Sequence, residues 1–224
     1  MLDLLLFIIS SYVLFIFSNG TQQGLFRLFY SITANPTISA ALISLLYFPG
    51  IVLHELSHFI TGVLVFLDVR SISLIPRALV AEDGSIGLQL GHVTYVKADP
   101  VRGFIVGIAP FFYGLLAFYG LFAWKPFPAE LFWHNALIIY LVFVISSTMF
   151  WSKQDLKDLI YMVPFVVVIG GALWIFQIDI PSFLSSFVSS DLLVAFIKQA
   201  NVYLFFSALI NILIYTILKF AKIT

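Results

Sequence analysis

Apolar positions in this chain gather into six long stretches separated by short polar breaks: residues 4–17, 38–67, 103–124, 131–150, 159–176 and 192–218. A helix needs about 20 mostly apolar residues to cross roughly 30 Å of hydrocarbon. The pattern therefore predicts an all-α polytopic membrane protein with about six transmembrane helices. The first stretch is short, and Asp3 is its only early side-chain charge. It lacks the cationic leader of a cleaved signal peptide and is read as a retained span. The second stretch is unusual in carrying His54, Glu55 and His58, and the sixth carries Lys198 and Asn201.

The breaks differ in charge. Arg70, Arg77, Lys97, Arg102, Lys153, Lys157, Lys219 and Lys222 fall on one side of the predicted spans, and only Arg27 and Lys125 fall on the other. Because cationic connections stay on the cytoplasmic side, this bias places both termini there. Five spans are the alternative if the first segment lies in the interface. The longest break, 68–102, is patterned rather than random. Val69 to Leu74 and Ile86 to Leu90 alternate, His92 to Val96 is β-branched and aromatic, and Ala81-Glu82-Asp83-Gly84-Ser85 is a turn cluster. A small β-hairpin or sheet on the cytoplasmic side is expected between the second and third helices. The whole chain, 1–224, reads as a single integral membrane domain with a core at 38–160 and a β-rich insertion at 68–102.

Composition agrees with the pattern: 62% of the 224 residues are hydrophobic and only 10% are charged, whereas soluble domains carry about a quarter charged residues. The chain is a lipid-bilayer protein by this criterion. Eleven basic and eleven acidic residues cancel, which leaves no basic field for nucleic acid. Cysteine is absent, so disulfides and thiolate-ligated metals are excluded and any metal must be held by His and carboxylates.

One cluster carries chemistry. Residues 54–58 read His-Glu-Leu-Ser-His. On a helix the two imidazoles, four residues apart, leave from one face and can hold one Zn2+ ion, with Glu55 beside the water in an open coordination position. The metal lowers the pKa of such a water toward ~7, and Glu55 is the candidate catalytic acid/base. With four His and three Glu in the chain, shuffling would produce this pattern in roughly one sequence per thousand. Ionisable residues inside a span also cost at least ~2.5 kcal/mol each on insertion scales, which argues for a functional reason to keep them.

A catalytic zinc usually has three protein ligands, so one more is needed beside His54 and His58. The candidates are Asp155, Asp158, His92, His134 and Asp191. His134 and Asp191 are placed at the opposite membrane face by the charge bias and read as interfacial. Asp155 is preferred. It follows a polar break beginning at Ser146, and Ser152 with Asp155 has capping-box spacing, which puts the carboxylate in the first turn of a helix. Asp158, one turn later, is the reserve. At 1.5 Å per residue, His58 and His54 lie roughly 14 and 20 Å along the helix from Leu67, so Asp155 has to reach inward.

A His-Glu-Leu-Ser-His segment inside a span, a β-rich segment after it and an Asp near a later helix break together resemble the site-2 protease family of intramembrane zinc metalloproteases. The resemblance covers about residues 38–160. It implies that His54 and His58 are the first two zinc ligands, Glu55 the catalytic residue and Asp155 the completing aspartate. The family usually sets that aspartate in a Leu-Asp-Gly segment, whereas here the sequence is Ser152-Lys153-Gln154-Asp155-Leu156, a divergent form. The implied reaction is hydrolysis of a peptide bond in or beside a transmembrane helix of a membrane-protein substrate. The hairpin would then either offer a strand edge at 71–74 or 92–96 to an unwound substrate or only cover the mouth of the site. The alternative is a transporter or metal-binding membrane protein using the same His/Glu cluster without proteolysis. The chain shows no second copy of the His-bearing segment, which a transporter built of repeated halves would have.

Overall fold

The computed structural model describes residues 2–74, 77–80, 86–89, 91–96, 99–124, 130–150 and 191–221, together with isolated positions between 164 and 177. Five long helices and four short strands make up the described chain. Helix α1 spans Leu2–Thr33, α2 Pro36–Leu64, α3 Pro100–Trp124, α4 Phe132–Thr148 and α5 Asp191–Phe220. Strands β1 (Val69–Ser73), β2 (Arg77–Val80), β3 (Ile86–Gln89) and β4 (His92–Tyr95) lie between α2 and α3.

The first helix is longer than its apolar stretch. It passes through Ser18-Asn19-Gly20-Thr21-Gln22-Gln23 and past Arg27 without a break. Two of those polar residues, Thr21 and Gln22, have hydrogen-bond partners on other helices. Ser18 and Thr21 are buried, and Gly20 lies where an added Cβ would meet the Tyr215 ring at 2.7 Å, so α1 and α5 approach closely there. The helix stops at Ala34, whose φ of 50° ends the run. Asn35 then caps α2 by accepting from the backbone N–H of Thr37 at 2.9 Å and Ile38 at 3.2 Å, with Pro36 in the first turn. Asn followed by Pro suits a helix start because the side chain satisfies orphan donors and the proline has none to lose.

The hairpin takes a nested form. β1 pairs antiparallel with β4, from Val69 opposite Tyr95 to Ser73 opposite His92, and β2 pairs with β3, from Arg77 opposite Gln89 to Val80 opposite Ile86. Strands at β1, β3 and β4 match the alternation in the sequence. β2 is additional, since Arg-Ala-Leu-Val does not alternate. The expected turn cluster at 81–85 lies outside the described residues. Asp99 closes the connection by accepting from the N–H groups of Val101 and Arg102 at 3.1 Å each, and Arg102 reaches back to the Phe66 carbonyl at 3.3 Å. The two ends of the hairpin are thereby held at the junction of α2 and α3.

Helices α1, α2, α3 and α5 are each long and apolar enough to cross a membrane, and α4 is a shorter apolar helix of 17 residues. The predicted span 159–176 is described only at isolated positions. Large apolar side chains such as Leu45, Leu116 and Leu213 face outward, as lipid-facing bulk does. The interior is formed by Leu14, Ile43, Tyr47, Phe118, Val144, Met149 and Leu204, each at most 1% exposed. Two close approaches set the helix packing. A Cβ on Gly50 of α2 would meet Thr148 and, at 2.5 Å, the Val144 carbonyl of α4, while one on Gly114 of α3 would meet Met149 at 2.8 Å. Small residues at such crossings let backbones come together in the absence of a hydrophobic drive.

Candidate metal centre

The ends of α4 and α3 converge on the middle of α2, and the His-Glu-Leu-Ser-His segment sits at the convergence. His54 and His58 leave α2 one turn apart with their rings 4.7 Å between centroids and nearly perpendicular. Their Nε2 atoms are 3.1 Å apart. His54 Nδ1 donates to the Thr148 carbonyl at 2.6 Å, and His58 Nδ1 donates to the Val106 carbonyl at 2.9 Å. Both acceptors belong to other helices. The site is therefore a tertiary product even though its two imidazoles come from five consecutive residues.

These bonds favour one tautomer. A carbonyl oxygen only accepts, so each Nδ1 carries the proton, and in the neutral rings each Nε2 presents a lone pair. Two ring nitrogens 3.1 Å apart can share a proton or a metal ion between them. Neighbouring ligand nitrogens on a tetrahedral zinc ion, with Zn–N of 2.0–2.1 Å, would be roughly 3.3 Å apart. The observed spacing is close to that edge. Metal-bound histidines almost always donate their second ring nitrogen to a carbonyl or carboxylate, which aims the ligating nitrogen. The donor set thus fits a zinc ion at His54 and His58 in chemistry and in aim.

Glu55 is buried, 6% exposed. Gly91, just before β4, lies against it: a Cβ there would fall 2.7 Å from Glu55 Oε1 and 2.8 Å from its Cδ. The hairpin backbone consequently covers the carboxyl group at a distance only glycine permits. Ser57, between the two His, donates to the His54 carbonyl at 2.6 Å and does not compete for the site.

The last turn of α4 connects this centre to the other helices. Ser147 accepts Gln22 of α1 on its carbonyl at 3.1 Å and Asn211 of α5 on its hydroxyl at 2.9 Å, Ser146 bonds Ser207 of α5, and Thr148 accepts His54. Thr21 donates to the Asn211 carbonyl at 3.0 Å. Asn201 reaches the Asp3 carbonyl at 2.8 Å. Both asparagines of the last helix are thus interhelical bonding groups. The Ser-Ser-Thr run, which the sequence marked only as a polar break, is the junction where α1, α2 and α5 meet α4.

The remaining candidates fall as follows. His134 lies near the start of α4, 14 residues before Thr148 and so roughly 21 Å away along the helix. Asp191 begins α5, 20 residues before Asn211, roughly 30 Å from the junction. Neither belongs to the site. His92 stands in β4 opposite Ser73, directly after Gly91. Among the described residues no group of three His, Asp or Glu side chains converges to hold a metal. Asp155 and Asp158 lie outside the described residues. Sequence reading missed the two carbonyl acceptors and the role of Gly91, because backbone groups leave no residue-type signature. Compared with protein-family models, curated proteins and solved structures, the chain shows no match.

Proposed function

We propose that the chain is an intramembrane zinc endopeptidase, similar in kind to the site-2 proteases, that hydrolyses peptide bonds in or next to transmembrane segments of membrane proteins. The observation that carries this reading is the pair of Nε2 atoms 3.1 Å apart with both Nδ1 protons committed to carbonyls. His54 and His58 would hold the metal, with Asp155 as the third ligand and Asp158 in reserve. Zinc bound there supplies a Lewis acid for the scissile carbonyl and draws the pKa of water toward ~7.

Glu55 does the proton work. Its carboxylate takes a proton from the attacking water as the water oxygen bonds to the peptide carbon, and it returns that proton to the amide nitrogen as the C–N bond breaks. Burial among helices keeps the surroundings low in dielectric, which strengthens each of these interactions. The carbonyls of Thr148 and Val106 hold the imidazoles in one orientation, so no reorganisation is needed during the reaction. The open edges of the nested hairpin support the idea that a substrate is held extended beside the site, where its amides are exposed to attack. The Lys and Arg distribution supports six spans with both termini and the hairpin on the cytoplasmic side.

The test pairs metal content with turnover. Purified wild type should carry one zinc per chain and cut a membrane-spanning substrate. Glu55→Gln should keep the zinc and lose about 100-fold or more of the cleavage rate. His54→Ala, His58→Ala and Asp155→Ala should lose the metal. Full cleavage by Glu55→Gln, or wild type without zinc, would overturn the reading.

A further inference from the structure

The carbonyl that holds His58 is available for a specific reason. In an α-helix the Val106 oxygen would accept from the N–H of residue 110, four positions on. Residue 110 is proline, inside α3 and buried, and it has no N–H to give. Val106 itself is 1% exposed, so water does not replace the missing donor. A buried carbonyl without a donor is costly and calls for another partner. His58 Nδ1 supplies it at 2.9 Å.

His54 uses the same device at a different place. Its acceptor, Thr148, is the last residue of α4, and the final four carbonyls of a helix have no intrahelical donor. Both imidazoles are therefore oriented by carbonyls that their own helices leave unpaired, one by termination and one by proline.

We propose that Pro110 is a positioning residue for the metal centre: by denying Val106 its helical donor, it reserves that carbonyl for His58 and fixes the Nδ1–H tautomer that turns Nε2 toward His54. The assignment rests on the zinc reading above. Placing alanine at 110 returns an N–H that recaptures the Val106 oxygen and releases the ring. The loss of such an outer partner typically costs about 10- to 100-fold in metal affinity.

Two measurements on the full chain in detergent test this. Zinc affinity by chelator competition should fall about 10- to 100-fold from wild type to Pro110→Ala. In 15N-histidine spectra of the metal-free protein, wild-type His58 should carry its proton on Nδ1, and Pro110→Ala should lose that signature while His54, held by Thr148, keeps it. A general loosening of the bundle would disturb both rings, so the difference between them is diagnostic. Zinc-bound wild type with unchanged affinity and an unchanged His58 signal in Pro110→Ala would overturn the proposal and leave the metal reading intact. Wild type without zinc but with the His58 signature would remove the metal reading and leave the carbonyl bond standing. If Pro110→Ala fails to fold, wild type labelled with 15N-histidine and 13C-carbonyl valine decides: contact between His58 Nδ1 and the Val106 carbonyl supports the proposal, and an Nε2–H tautomer at His58 sinks it.

Discussion

Two imidazoles that leave one helix a turn apart, with their Nε2 atoms 3.1 Å from each other and each Nδ1 on a carbonyl of another helix, are the residue-scale feature on which the proposed metal centre rests. The residues concerned were legible as a motif, since His, Glu and His at that spacing are rare in so apolar a chain. Their orientation was not legible, because the groups that orient them are peptide carbonyls, which every residue possesses. The same holds for Gly91. Nothing in Leu90-Gly91-His92 marks it beyond the habit of glycine near turns, yet its missing Cβ is what admits the Glu55 carboxyl. Gly91→Ala should therefore leave zinc stoichiometry at the wild-type value while cleavage falls about 100-fold, since a displacement near 1 Å at a reacting group has that effect. Metal analysis and rate measurement on the same preparation check it. Unchanged cleavage would mean that the hairpin yields instead of the carboxylate.

At the scale of elements, the contact between α2 and α4 decides whether the centre forms. Gly50 lies one turn before His54 and lets the α4 backbone close enough for the Thr148 carbonyl to reach the ring. Gly50→Ala would place a methyl group against the Thr148 hydroxyl and the Val144 backbone carbonyl, and the carbonyl cannot rotate away. Overpacking of this kind costs about 1–3 kcal/mol. We expect a lowered thermal midpoint and weaker zinc binding together, read by a melting curve with and without added metal. A lower midpoint with wild-type zinc affinity would separate the helix contact from the site. Helix existence was well marked in the sequence by apolar length, whereas the Asn35-Pro36 start of α2 emerged only in the structure. The extension of α1 was hidden because Ser18 to Gln23 has the composition of a loop. Those polar groups stay helical because α4 and α5 supply Gln22 and Thr21 with partners that lie more than 100 residues away.

For the whole molecule, the absence of cysteine makes sidedness directly testable. Ser71 is exposed in β1, so Ser71→Cys gives a single thiol on the hairpin. It should react with an impermeant maleimide only from the cytoplasmic side, and labelling from the opposite side alone would reverse the proposed orientation. The sequence by itself determined that this is a helical chain with segments long and apolar enough to cross a membrane, where a β-rich insertion lies, and which three side chains carry ionisable chemistry within an apolar stretch. Those properties are local: hydrocarbon thickness sets a length, and a helical repeat sets which side chains share a face. Only the tertiary structure decided which carbonyls face the histidines, that Gly91 rests on Glu55, and that Ser146 to Thr148 gather four helices. Each of these depends on backbone groups brought together from distant parts of the chain, and their positions follow from how the helices pack.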